Sequence, residues 1–149
     1  MPYSVCKFNM SHFDNFDVRD AQKADLEFLK ANPRFQELWE RDWPMFTLMC
    51  DGKPIIILGM QNSGIGTYYP MAFVGKGIDK HRFAVIRYVY DYIEKFVGSD
   101  LRRLEAYVSV YDKEAQRFAE FFGFEAIGIR RMASVDGQDQ IIYERLGRK

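Results

Sequence analysis

The sequence predicts a mixed α+β domain, and three observations carry that prediction. Runs with strand character lie at 46–50, 55–60 and 67–74, separated by the turn formers Asp51-Gly52 and Asn62-Ser63-Gly64. Further on, Val85, Ile86, Val89, Ile93 and Phe96 recur at the three- and four-residue steps of a helix with one buried face. Between the strands and this helix stands a glycine-broken turn, Gly75-Lys76-Gly77-Ile78-Asp79. Strands that feed helices through such turns build a sheet covered by helices.

Each element has its own signal. The chain starts extended over 3–8 and then turns helical, with Ser11 and Asp14 as local caps and an amphipathic helix within 18–30. Asn32-Pro33 reads as the N-cap and first residue of a short helix through Trp39. Trp39 and Trp43 are read as core, with a hydrophobic lid as the alternative. Pro54 falls just before the strand 55–60, where its missing N–H is tolerated. Gly98-Ser99-Asp100 ends the long helix, which is predicted over 81–96. Leu104, Ala106, Val108 and Val110 alternate as in a strand, and Ala115, Phe118, Ala119 and Phe122 return to helical spacing before Gly123. The chain finishes with strands at 127–132 and 140–146 around Val135-Asp136-Gly137. The last of these is the candidate for pairing across a two-fold in a homodimer.

The bulk properties exclude several classes. The 149 residues suffice for one core, so a single domain over 1–149 is expected. An apolar share of 48% places the chain outside the disordered class. With 21 Lys and Arg against 21 Asp and Glu, the basic excess of a nucleic-acid binder is missing. Cys6 and Cys50 have no metal-ligand spacing, and His12 and His81 stand far apart and away from them in sequence, so reduced thiols and no metal are expected. No apolar run approaches the ~20 residues of a membrane helix, and no signal-peptide pattern opens the chain. The expectation is a cytoplasmic protein with no membrane partner. Gly-x-Ser-x-Gly, a Walker loop and a paired histidine set are all absent from the sequence, and nothing in the spacing pairs a cysteine with a histidine for nucleophilic work.

This element order, with these turn positions, resembles the GNAT superfamily of acetyl-CoA-dependent N-acyltransferases, best over 55–146. The resemblance implies acetyl-CoA as cofactor and an amine of a protein or small molecule as acceptor. It also implies a central, mostly antiparallel sheet flanked by helices. The family's pyrophosphate loop, which follows its fourth strand, maps onto Phe73, Val74, Gly75, Lys76, Gly77, Asp79, Lys80, His81 and Arg82. Gly77 matches the pattern's central glycine, whereas Val74 and Asp79 depart from its first and last positions. Asp79 would repel a pyrophosphate unless it caps the helix, and Lys76, Lys80, His81 and Arg82 offset its charge. The family segment ending in Gly-Phe resembles 115–124. There the tyrosine that protonates the leaving thiolate in many members becomes Ala119, leaving Tyr107 and Tyr111 as substitutes. Asp112 stands where the family commonly has asparagine.

More narrowly, Leu101-Arg102-Arg103-Leu104-Glu105-Ala106, Arg117-Phe118-Ala119-Glu120, Gly123-Phe124-Glu125 and Gly128 resemble small GNAT-like proteins of tailed phages, which implies a host cytoplasm. Amide formation from a thioester needs a base and a polarised carbonyl. Glu105 is the carboxylate in the middle of a predicted central strand, on one face with Tyr107 and Ser109, and is the candidate base; an ion pair with Arg103 is its alternative role. A backbone N–H near Phe73 or Val74 is the candidate for polarising the carbonyl. The second functional reading is a non-catalytic GNAT-fold module that binds a host or phage protein.

Overall fold

Seven strands and four α-helices appear in the computed structural model, which describes residues 2–64, 66–97 and 101–147. The strands are β1 (Tyr3–Lys7), β2 (Phe46–Cys50), β3 (Lys53–Asn62), β4 (Thr67–Val74), β5 (Arg103–Ser109), β6 (Glu125–Arg130) and β7 (Gln140–Leu146). The helices are α1 (Lys23–Lys30), α2 (Pro33–Glu37), α3 (Arg82–Val97) and α4 (Lys113–Phe121). Hydrogen bonding orders the strands β1-β2-β3-β4-β5-β7-β6, a central, mostly antiparallel sheet flanked by helices. One parallel ladder joins β4 to β5 through Thr67↔Arg103 and Tyr68↔Leu104. The mixed α+β class and its GNAT-like arrangement are as the sequence predicts.

The fold gathers into two compact units, Met1–Gln61 with Met71–Ile93, and Asn62–Pro70 with Glu94–Lys149. In the first unit, β2 and β3 form the hairpin expected at Asp51-Gly52, and both turn residues have positive φ (51° and 75°). That geometry belongs to the tight hairpin turn whose twist suits its strands. Pro54 pairs opposite Met49, and the register shifts beside it, which accommodates a residue without an N–H. The core of this unit is aromatic: Phe8, Phe13, Phe16, Trp39 and Phe73 are all buried. Phe73 meets Phe13 at 5.3 Å and Trp39 at 5.5 Å between ring centroids, so Trp39 is core. Helix α3 is fastened to the start of β2 by two phenols. Tyr88 donates to the Phe46 carbonyl at 2.9 Å, and Tyr92 to the Pro44 carbonyl at 2.5 Å. Burial pushes both hydroxyls above the usual tyrosine range, so they remain donors.

The second unit is built on β5, which runs antiparallel to β7 from Arg103↔Leu146 to Ser109↔Gln140. Asp112 caps α4 by accepting from the Ala115 amide at 3.1 Å, and Gly123, at φ +88°, ends that helix as expected. Tyr143 is its largest fully buried side chain.

Several boundaries differ from the sequence reading. Of the helix expected within 18–30, only 23–30 is α-helical; Val18 is extended and bridges Gly75. Val18 is 4% exposed, so a tertiary partner outweighs its local helical spacing. Met10–Asn15 is 3-10 and is capped by Asn9, not by Ser11 or Asp14. Asn32 makes no side-chain cap; its amide donates back to the Phe28 carbonyl. The final strand pair begins at Glu125 rather than at 127. The expected helix stop at Gly98-Ser99-Asp100 lies outside the described residues.

Replacing Tyr88 by Phe leaves the Phe46 carbonyl without its donor. The expected loss is about 1 kcal/mol, read as a lowered denaturant midpoint at unchanged m-value.

Candidate functional site

Two groups of the residues singled out from the sequence come together, each within one unit. The first is the loop after β4. In a ladder, successive residues aim their N–H and C=O groups at opposite edges of the strand. Gly75 donates to the Ile55 carbonyl of β3 at 3.0 Å, so Val74 and Lys76 face the edge away from β3. That edge is occupied by residues 17–22. Arg19 donates its amide to the Val74 carbonyl at 2.9 Å, and Lys76 donates its amide to the Asp17 carbonyl at 2.9 Å. The Gln22 side chain completes the set: Oε1 accepts from the Val74 amide at 2.8 Å, and Nε2 donates to the Ala72 carbonyl at 2.5 Å.

The turn itself closes on its own atoms. Ile78 donates to the Gly75 carbonyl, and Lys80 to the Gly77 carbonyl, in a 3-10 turn over Ile78–His81. The amides of Val74, Gly75, Lys76, Ile78 and Lys80 therefore all have acceptors within the chain. Lys76 directs its ammonium to Asp20 at 3.1 Å and Asp17 at 3.8 Å. Asp20 is held below the usual carboxylate range, first by its hydrogen bond to Lys23 and then by that to Lys76. Asp79 lies inside the 3-10 turn, whose N-cap is Gly77, so it does not cap the helix. His81 pairs its Nδ1 with the Tyr3 hydroxyl at 2.9 Å. Gly77, Asp79, Lys80 and Arg82 are exposed. Gly75, Lys76, Gly77 and His81 border an open groove of ≈ 740 Å³ shared with Asp51 and Lys53. In this conformation the amides of Val74, Gly75, Lys76, Ile78 and Lys80 are therefore closed to a pyrophosphate.

Gly75 matters here more than Gly77. A Cβ on Gly75 would stand 3.0 Å from the Ile55 carbonyl oxygen and 3.1 Å from the Phe16 ring, whereas Gly77 has open space. Packing thus requires the glycine at 75 and makes no such demand at 77. Phe73 sends its ring into the core, and the Val74 amide proposed for carbonyl polarisation belongs to Gln22. The partner at Gln22 carries no sequence signal, being one glutamine some fifty residues away.

The second group lies on β5. Arg103 donates to Glu105 at 2.5 Å and, through its other terminal nitrogen, reaches Glu144 at 3.1 Å. Tyr107 donates its hydroxyl to the second oxygen of Glu105. The Arg130 guanidinium lies 3.9 Å over the Tyr107 ring, and Tyr69 stacks near it at 5.8 Å. Burial first, and then the bond to Glu105, raise the Tyr107 phenol above its ordinary range, so it is a fixed donor. The ion pair expected as the alternative role of Glu105 is present, together with the face shared with Tyr107. Tyr111 is 75% exposed on the turn beyond β5, and Ala119 is buried in α4.

A third meeting had no sequence signal. His12 Nε2 lies 3.9 Å from the Cys6 sulfur, so the histidine and the cysteine are neighbours despite the spacing. His12 Nδ1 is 2.8 Å from the Thr47 hydroxyl and accepts the Asn9 amide at 3.3 Å. An accepting Nδ1 leaves the ring proton on Nε2, facing sulfur, so this tautomer cannot take the thiol proton. Among the described residues no cluster of His, Cys, Asp and Glu could hold a metal ion, and no helix is long and apolar enough to cross a membrane.

No family model and no curated protein matches the sequence. Solved structures do match in shape. A probable acetyltransferase from Staphylococcus epidermidis superposes with a TM-score of 0.73 over 97% of this chain and 99% of that one, at 14% identity. Ard1 from Thermoplasma volcanium gives 0.68 over 99% of both chains at 12% identity. The ribosomal-protein-S18-alanine N-acetyltransferase of Escherichia coli gives 0.68 over 99% and 96% at 14% identity. At these identities the likeness is one of fold.

Burial lowers the His12 pKa from 6.5, so the folded protein binds fewer protons than the unfolded chain as pH falls through that value. Stability is then expected to decline below about pH 6.5. In chemical denaturation, the stability gap between wild type and His12→Gln should narrow from pH 7.5 to 5.5; a constant gap would contradict this assignment.

Proposed function

We propose that this protein is an acyl-CoA-dependent N-acyltransferase whose acceptor is an amine of a protein or small molecule. The observation that carries the reading is the match of fold, over nearly the whole chain, to acetyltransferases. One of those, the ribosomal-protein-S18-alanine N-acetyltransferase, is named for a protein substrate, which favours a protein amine as acceptor. The resemblance of 101–128 to small phage-encoded proteins favours a host protein as its source and the host cytoplasm as the place of action.

The roles of this chain's residues follow from their bonding. Glu105 is the base: each of its oxygens retains a second lone pair after accepting from Arg103 and Tyr107. Arg103 supplies the counter-charge and Tyr107 sets the carboxylate's orientation. The exposed Tyr111 is the hydroxyl available for returning a proton to a leaving group, because Tyr107 spends its one O–H on Glu105. Acyl-CoA supplies the activated acyl group. Gly77, Lys80 and Arg82 are the exposed loop residues that would meet its phosphates.

The closed β4 edge favours a second reading, a GNAT-fold module that binds a protein partner without catalysis. One titration separates the two. Calorimetry with acetyl-CoA is expected to show saturable binding that Gly77→Trp abolishes, the variant being sterically tolerated because Gly77 faces open space. Folded wild-type protein that takes up no acetyl-CoA would overturn the enzyme reading. If binding is present, Glu105→Gln should lower turnover by about 10²–10⁴-fold with the affinity for acetyl-CoA unchanged.

A further inference from the structure

Strand β6 lies at one end of the strand order, and five of its six residues are exposed. Strand β7, which the sequence offers as the candidate for pairing across a two-fold, is paired on both sides, to β5 and to β6. The open edge therefore belongs to β6. Its apolar side chains are uncovered: Ile127 is 49% exposed and Ile129 59%, and Phe121 at the end of α4 is 65% exposed. An edge of this kind, with free backbone groups and apolar side chains, is a template for another strand.

The charges at the two ends of β6 have no counterpart within the chain. Glu125 stands opposite Glu144, a like charge already engaged by Arg103. Arg130 stands opposite Gln140 and rests on the face of the Tyr107 ring. Among the described residues no opposite charge lies within ion-pair distance of either. Positions five apart in a regular strand fall on opposite faces. The irregularity between Ala126 and Gly128 changes that. Glu125 and Arg130 register with Glu144 and Gln140, four apart in β7, and so share one face. Ala126 and Ile129 register with Tyr143 and Ile141 and share the other. A bulge often blunts an edge, but here it makes the strand complementary to itself.

We infer that β6 is a dimerisation edge, pairing antiparallel with β6 of a second copy about a two-fold axis between Ile127 and Gly128. An axis normal to the sheet keeps each face on its own side. That register sets Glu125 against the partner's Arg130 and Ala126 against the partner's Ile129, and the symmetry makes both pairs twice. The occupant is a second copy because the charge pattern of the strand is its own complement. The inference stands apart from the acyltransferase reading, yet it reaches the β5 carboxylate. The partner's Glu125 meets the guanidinium that lies on Tyr107, and Tyr107 orients Glu105.

The test is sedimentation equilibrium of the full chain over a range of micromolar concentrations, with circular dichroism to confirm the fold of each variant. Wild type is expected to be a dimer. Arg130→Glu and Glu125→Arg each set like charges opposite one another twice, and each should weaken the dimer about tenfold or more. Combining Glu125→Arg with Arg130→Glu restores both pairs with reversed sign and should return the affinity to the wild-type level. Loss of the Tyr107 stack accompanies Arg130→Glu alone and persists in the combination, so recovery there reports the pairing between copies. A monomeric wild type would overturn the inference. So would a dimer indifferent to the single reversals, or one that the combination leaves weakened.

Discussion

The meeting of three chain segments at the end of β4 depends on a bare Cα at Gly75. Its amide reaches β3 at Ile55, its face lies against Phe16, and its bridge partner is Val18. A methyl group there would stand 3.0 Å from a backbone oxygen that cannot turn aside. With the glycine in place, the 17–22 segment comes near enough for Asp17 and Arg19 to bond to β4's outer edge, and Gln22 falls within reach of Ala72 and Val74. Without it, the 17–22 segment, the loop after β4 and the burial of Val18 would all need rearrangement.

That one close approach determines what the loop can do chemically. A loop in the glycine-rich, strand-to-helix position offers anion binding only if its amides are uncommitted. Here the amides of Val74, Gly75, Lys76, Ile78 and Lys80 are committed to Gln22, to β3, to Asp17 and to the turn itself. The charges follow the same rule, since Lys76 already has two carboxylates. The β5 network is of another kind. Arg103, Glu105, Glu144, Tyr107 and Arg130 satisfy each other within one unit, giving a carboxylate of fixed orientation.

Elements with strong local chemistry were legible in the sequence. Strands β2, β4 and β7 have the boundaries that alternation and turn residues indicate, and Asp51-Gly52 forms its hairpin because few other residues accept two positive φ values in succession. The pairing of Glu105 with Arg103 and Tyr107 follows from a period of two along one strand, so proximity is encoded locally. Helix 18–30 was misread because Val18 and Arg19 carry helical spacing but gain more from the edge of β4. The meeting of His12 with Cys6 and Thr47, and of Gln22 with Ala72 and Val74, left no periodic trace.

The sequence by itself determined the order of elements, the mixed α+β class, the turn positions and the face on which Glu105 stands. All of these follow from residues within a few positions of one another. Which amides of the 74–82 loop are spent, which glycine the chain needs, and what lies on the outer edge of β4 were decided by tertiary structure. Those outcomes turn on contacts between residues far apart in the sequence, whose energy depends on the folded geometry and not on any local pattern.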